Sequence, residues 1–457
     1  MRRYVILAGL SMWLGAHPAF AADLTRTSAA VLTLTDAIQI GLDRHPSLEQ
    51  SRYASQAARA VTKQIKGDRL PWIEASIAES SGSLRIVTTD GRTIHDRGGH
   101  GFDPGGALPH HNQNMLTGGL LVNQLITDFG YTAHRILAGQ ATEEASEKAR
   151  LTKKALVILN VQKAYLGCLL QEHLIKVTEA TLKRRRAVRD QVESLYKHQL
   201  KSKVDLDLIR VETSNAELAL IRAQNDLKTN VAVLNNAMGI QGPETYELQA
   251  LSIVTSALPD LDTLVTDGLQ NRPELLGARD KIQASEELLK AVKALHFGSL
   301  SAVGSLAVTK FWDAHDNGIH DNEVAPFWGV GATARLPLFT GFKIHNQIAE
   351  AGHARGEAEY ERQDLANEVI LQIMRAYLTQ TTNAEQIGLE QERASYALEA
   401  LGLAQERYRI GLSPMLDVIR ATAVAFEAES RLAEAQYIYK TSEVVLAYAT
   451  GQDYLRY

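Results

Sequence analysis

Two short segments carry the side chains best suited to metal chemistry. HDRGGH (His95 to His100) and HDNGIH (His315 to His320) set two histidines and an aspartate around a glycine-containing turn, and His110 and His111 follow the first. Imidazole and carboxylate donors suit Zn, Ni or Cu, so His95, His100, His315 and His320 form a candidate ligand set, one that subunits could share. Neither segment has the close ligand spacing of a zinc motif, and the same residues also fit solvated loops. The single cysteine, Cys168, excludes an intramolecular disulfide and any cysteine-based zinc cluster, and reads as a small core residue. There is no Gly-x-Ser-x-Gly elbow, no His-Glu-x-x-His, no phosphate loop and no dinucleotide fingerprint, so neither an enzyme nor a cofactor is expected. A formal charge of −5 with both signs interspersed gives no footprint for nucleic acid.

A second constellation is repeated along the chain. Tyr165 and Tyr377, Tyr196 and Tyr408, Asp205 and Asp417, and Gly239 and Gly451 are each separated by 212 positions (377 − 165, 408 − 196, 417 − 205, 451 − 239). Between Asp205 and Gly239 about a third of the residues are identical to their partners without a gap. A constant offset over separate landmarks signals two tandem copies of one structural unit. The expected division is a leader over 1–21, a first repeat over 22–240, a linker over 241–260 and a second repeat over 261–457.

The elements that must position these residues follow from periodicity. Each repeat opens on two short helices, restarted at Pro46 and Pro273. A strand pair follows, at about 72–92 and 113–128 in the first repeat and about 299–313 and 325–340 in the second. In the last strand Trp328, Val330, Ala332, Ala334, Leu336 and Leu338 alternate with small or polar residues. That pattern suits a membrane barrel strand or a half-buried soluble one. A long helical hairpin closes each repeat, over about 129–239 and 342–450, with a first arm on the order of 100 Å long. On the returning arms Thr213, Ala216, Leu220, Ala223, Leu227, Leu234 and Ala237, and their partners from Ala425 to Ala449, form a coiled-coil seam. The second hairpin turns at GLSPMLDVIRA, where Gly411 stops one helix, Ser413 is the expected N-cap and Pro414 the expected first helical residue.

The N-terminus MRRYVILAGLSMWLGAHPAFAAD has two arginines, an apolar stretch and a small-residue site ending at Ala21, which reads as a secretory signal. No apolar run is long enough for a membrane helix, so a membrane-borne form requires a closed β-barrel. Four strands are too few to close one, which calls for several protomers sharing a barrel. A soluble periplasmic coiled-coil scaffold or adaptor is the alternative; it leaves the two strand pairs at matching positions unexplained.

The tandem openings LTDAIQIGLDRHPSL and VTDGLQNRPEL, the junctions LITDFG and LFTGF, and the turn segments YKHQLKSKVDLDLIR and YRIGLSPMLDVIR together resemble the TolC-like outer-membrane efflux protein family over essentially the whole mature chain. The resemblance implies a mainly helical fold with long antiparallel hairpins. Three chains would form an α-barrel through the periplasm, continuous with a twelve-stranded barrel in the outer membrane of a Gram-negative bacterium. Such a homotrimer, held in outer-membrane lipid, is the exit duct of a tripartite efflux or type I secretion system. Its partners are a periplasmic adaptor and an inner-membrane pump of the resistance-nodulation-division, ABC or major facilitator type. The same resemblance places the histidine-rich loops at the outer mouth and the hairpin turns at the periplasmic end. It implies adaptor docking at Gln199, Leu200, Gly411 and Leu412, and a gate built from Asp205, Tyr408, Asp417 and Tyr196. Ser413 stands where the family has a gate arginine and Arg420 where it has a second ring aspartate, so Arg409, Lys197 or Arg420 is expected to supply the cation.

Overall fold

The computed structural model describes residues 31–83, 112–313 and 324–452. The leader and His95, His100, His110, His111, His315 and His320 lie outside the described residues. The chain begins with β1 (Val31–Leu32), α1 (Leu34–Arg44) and α2 (Pro46–Gly67), followed by β2 (Trp72–Ser83) and β3 (Asn112–Thr127). The first hairpin is α3 (Tyr131–Lys197) and α4 (Lys203–Ala237). After β4 (Glu247–Leu248) the order recurs: α5 (Leu261–Asn271), α6 (Pro273–Ala294), β5 (Ser299–Asp313), β6 (Val324–Arg335), α7 (Lys343–Arg409) and α8 (Met415–Ala449).

The duplication is visible in the lengths. Helices α3 and α7 both have 67 residues and α4 and α8 both have 35, each pair starting 212 apart (343 − 131, 415 − 203). The opening helices also match, at 11 and 22 residues, but start 227 apart (261 − 34, 273 − 46). The difference falls in the strand segments between them. Local chemistry sets these boundaries: the Thr33 and Asp260 side chains cap α1 and α5, and Pro46 and Pro273 open α2 and α6 where a missing N–H costs nothing.

The four long strands form one antiparallel sheet in the order β2-β3-β5-β6, so the two repeats join at β3–β5. Among the described residues β2 and β6 have no further strand partner. On these edge strands Ile77 and Val330 are both 82% exposed. Strand β6 ends at Arg335, so Leu336 and Leu338, which the alternation carried into the strand, lie beyond the ladder. Pro337 has no N–H to continue it.

The helices keep the same lateral order as the strands. Above the middle of the long arms, α2 packs on α3, and α6 packs between α3 and α7. Below it, α4 packs on α3, α8 on α7, and the hairpins meet through α3 and α8. One edge of the protomer is therefore β2, α2 and α4, and the other is β6 and α7. The expected seam is buried at Thr213, Ala216, Leu234, Ala425, Ala428, Tyr439 and Leu446. A core at mid-height gathers Ile38, Ile158, Tyr165, Leu234 and Met238, where the Tyr165 hydroxyl donates to the carbonyls of Leu32 and Gln249, both at 2.9 Å. Cys168 is fully buried beside it, and burial pushes its thiol pKa up to about 12, which keeps it protonated.

Candidate functional site

The site is the pair of turns where the hairpins reverse. Both α3 and α7 end in a Schellman motif, which satisfies the last carbonyls by turning one residue into the left-handed region. Leu200 N–H donates to Leu195 O at 2.9 Å and Gln199 N–H to Tyr196 O at 2.8 Å, with Gln199 at φ +66°. The second hairpin repeats this at Leu412 N–H to Arg407 O (2.8 Å) and Gly411 N–H to Tyr408 O (3.1 Å), with Gly411 at φ +82°. Only glycine holds that conformation without strain, so Gln199 bears a penalty that Gly411 avoids. Both motifs push a leucine out of the turn: Leu200 and Leu412 are 68% and 67% exposed.

Helix α4 starts on Ser202, whose Oγ accepts from Asp205 N–H at 3.1 Å. Ser413 does not do the same for α8. The N-cap there is Pro414, in extended conformation with no side-chain bond, and Met415 is the first helical residue. The reason is register: Pro414, not Ser413, stands 212 after Ser202 (414 − 202), and the Ser413 Oγ is buried without a hydrogen-bond partner among the described residues.

Between the two turns Val192, Leu206, Ile209, Tyr408, Met415 and Val418 form one apolar cluster, so the hairpin ends are packed together within the protomer. Of the residues singled out in the sequence, Tyr408 and Asp205 are brought together. Burial first, and then the Asp205 charge, push the Tyr408 phenol up to about 12. Tyr196 and Asp417 lie on the exposed side of the last and first turns. Among the described residues of one protomer, no cation expected from the sequence forms an ion pair with Asp205 or Asp417. Arg409 pairs with Glu406 of its own helix at 2.8 Å, Lys197 lies 3.5 Å from Glu193, and Arg420 makes no ion pair among the described residues.

A different cation occupies the site. The Lys201 ammonium lies over the Tyr408 ring, 4.0 Å from its centroid, crossing from the first turn to the end of α7. Four turns higher on α3, Arg184, Arg185 and Arg186 point in successive directions and reach Glu429 of α8, Glu212 of α4 and Glu217 of α4. These pairs tie α3 to both neighbours just above the turns. Sequence reasoning missed the group; the only signal was three consecutive arginines, which a helix fans out by about 100° per residue.

The model of the outer membrane efflux protein family matches residues 37–240 and 264–452, once for each repeat. The chain belongs to that family. Among its relatives, the outer membrane protein TolC of Salmonella enteritidis is 20% identical over 74% of this chain and 70% of its own length. The solvent efflux pump outer membrane protein SrpC of Pseudomonas putida is 25% identical over 69% of this chain and 67% of its own. The solved structure of CusC, which forms a transmembrane channel, superposes with a TM-score of 0.76 at 16% identity, covering 94% of this chain and 95% of that one. This efflux protein is an outer-membrane channel component that extends into the periplasm.

Proposed function

We propose that three copies of this chain close into one duct, with a twelve-stranded barrel in the outer membrane and a helical tunnel below it. The observation that carries this reading is the matched pair of unsatisfied edges. Strands β2 and β6 lack outer partners among the described residues, and an open sheet edge is not viable in lipid. Among the described residues the helical edges below them are equally unpartnered. Val204, Val211 and Leu218 on α4, and Leu389, Tyr396 and Leu403 on α7 with Ile410 at its C-cap, are exposed apolar residues spaced by seven. Such spacing is a coiled-coil seam awaiting a partner, and the α7 edge of one copy meets the α4 edge of the next when the ring closes. A soluble scaffold would leave Ile77 and Val330 facing water on a sheet with two free edges.

In this duct the hairpin turns are the periplasmic gate, held inward by the apolar cluster around Tyr408 with Asp205 and Asp417 near the axis. Gln199, Leu200, Gly411 and Leu412 are the surface on which a periplasmic adaptor docks, delivering cargo from an inner-membrane pump. Planar-bilayer conductance of the detergent-extracted protein tests this, comparing wild type with an Asp205→Ala, Asp417→Ala pair. Small steady trimeric channels that widen in the variant support the reading. A conducting trimer unmoved by both changes removes the aspartates from the gate, and a soluble monomer without conductance returns the scaffold.

A further inference from the structure

Tyr408 stands where the two hairpins meet, and its two ends are in opposite situations. It shares one apolar cluster with Val192, Leu206 and Ile209 of the first hairpin, and is only 4% exposed. The hydroxyl is buried with no hydrogen-bond partner among the described residues, although Asp205 is close enough for its charge to be felt. The Ser413 hydroxyl in the same turn is likewise buried with no partner among the described residues. A hydroxyl taken out of water without a replacement bond disfavours the state that buries it. When the hairpin ends part, water reaches both groups, so these hydroxyls favour the open arrangement. The ring face works the other way. An ammonium over an aromatic face is attracted by its quadrupole, and the Lys201 Nζ at 4.0 Å is well inside the effective range. The Lys201 backbone is held in place on both sides, by the Schellman bond of Leu200 and by the Ser202 cap of α4. Its side chain thus joins one hairpin to the other at the turn itself.

We propose that the face of the Tyr408 ring, gripped by Lys201, latches the closed tip in this protein, and that the Tyr408 hydroxyl biases the same tip toward opening. Lys201 is a positioning residue for the gate: it acts on the hairpin and touches no cargo by this assignment. The inference rests on the duct reading above and names which group within that gate holds it shut.

Open probability of the trimer in planar bilayers tests it, with Lys201→Met, Lys201→Arg and Tyr408→Phe compared with wild type and trimer mass checked in each. Loss of the cation–ring contact should favour opening by about 2- to 5-fold per protomer, or roughly 10- to 100-fold when three tips act together. Lys201→Met is therefore expected to raise open probability, while Lys201→Arg, which keeps a cation over the ring, restores the wild-type value. Tyr408→Phe keeps the ring and removes the orphan hydroxyl, so its open probability should equal or fall below wild type. A Tyr408→Phe channel that opens as readily as Lys201→Met would overturn the proposal and make the hydroxyl the latch. Conducting trimers indifferent to Lys201→Met would overturn it while leaving the duct intact, and a wild type that forms no conducting trimer would remove both.

Discussion

All four long helices end in the same six-residue turn, and this permits a controlled test of what a left-handed residue costs. The left-handed positions are Gln199, Gly239, Gly411 and Gly451, with φ between +66° and +82°. Replacing each glycine by alanine adds the same Cβ to nearly the same backbone conformation, so the conformational cost is shared, at about 1 kcal/mol. The surroundings differ. A Cβ at Gly411 meets nothing within 4 Å. At Gly451 it lies 3.0 Å from the Asn271 carbonyl carbon and 3.1 Å from the Arg272 nitrogen, where the α5–α6 junction must give slightly. At Gly239 it lies 2.7 Å from His45 Cα and 2.9 Å from the Arg44 carbonyl oxygen, so backbone must move. Overpacking of that kind adds about 1–3 kcal/mol. The expected losses are therefore about 1 kcal/mol for Gly411→Ala, about 2 for Gly451→Ala and about 3 or more for Gly239→Ala. Gln199→Gly should gain a few tenths to about 1 kcal/mol by relieving its strain. Thermal unfolding midpoints, taken at one protein concentration because assembly contributes to stability, give the ranking. A Gly411→Ala loss as large as that of Gly239→Ala would refute the claim that the neighbouring backbone sets the difference.

Three further outcomes are expected. Ser202→Ala should cost about 1 kcal/mol by removing the α4 cap, whereas Ser413→Ala should be neutral or stabilising because its hydroxyl has no hydrogen-bond partner among the described residues; thermal midpoints separate the two. The His45 Nδ1 accepts from Ser47 N–H at 3.2 Å to cap α2, and burial lowers its pKa below the ordinary 6.5. The unfolded chain thus binds a proton more readily, so this stabilisation is present above about pH 6.5 and is lost as pH falls through the lower folded value. Protection factors at the start of α2, taken relative to the intrinsic exchange rate at each pH, should fall between pH 7 and 5, and His45→Asn, a neutral cap, should abolish that fall. Finally, a double-mutant cycle of Arg184→Met and Glu429→Gln should show a coupling of about 1–2 kcal/mol, since the pair joins the hairpins with side chains roughly three-quarters buried; a coupling near zero would mean the bridge is solvated.

What could be read from the chain alone was whatever depends on near neighbours. Helix periodicity, the prolines at 46 and 273 and the glycines at 239, 411 and 451 mark ends that the folded protein keeps. The errors had local causes too. Ser413 looked like a cap because Ser-Pro often opens a helix, but the repeat register gives that place to Pro414. The strand past Arg335 was overextended because apolar alternation continues through Leu336 and Leu338 after the hydrogen-bonded ladder has stopped. Within one protomer the cations beside the tip aspartates have local partners too. Arg409 and Lys197 meet Glu406 and Glu193, three and four residues back on their own helices, where i,i+3 and i,i+4 neighbours face each other.

The sequence by itself determined the inventory of this efflux protein: two copies of one unit, hairpins of equal length, and strands with one apolar face. These follow from repetition and periodicity, which need no knowledge of what packs against what. Only the tertiary structure decided which edges remain free and which side chains share the tip. Lys201 and Tyr408 are separated by 207 positions (408 − 201), and no spacing rule links them. Their contact exists because α3 and α8 pack side by side and bring two turns to the same level, so the partner of each turn is set by helix packing.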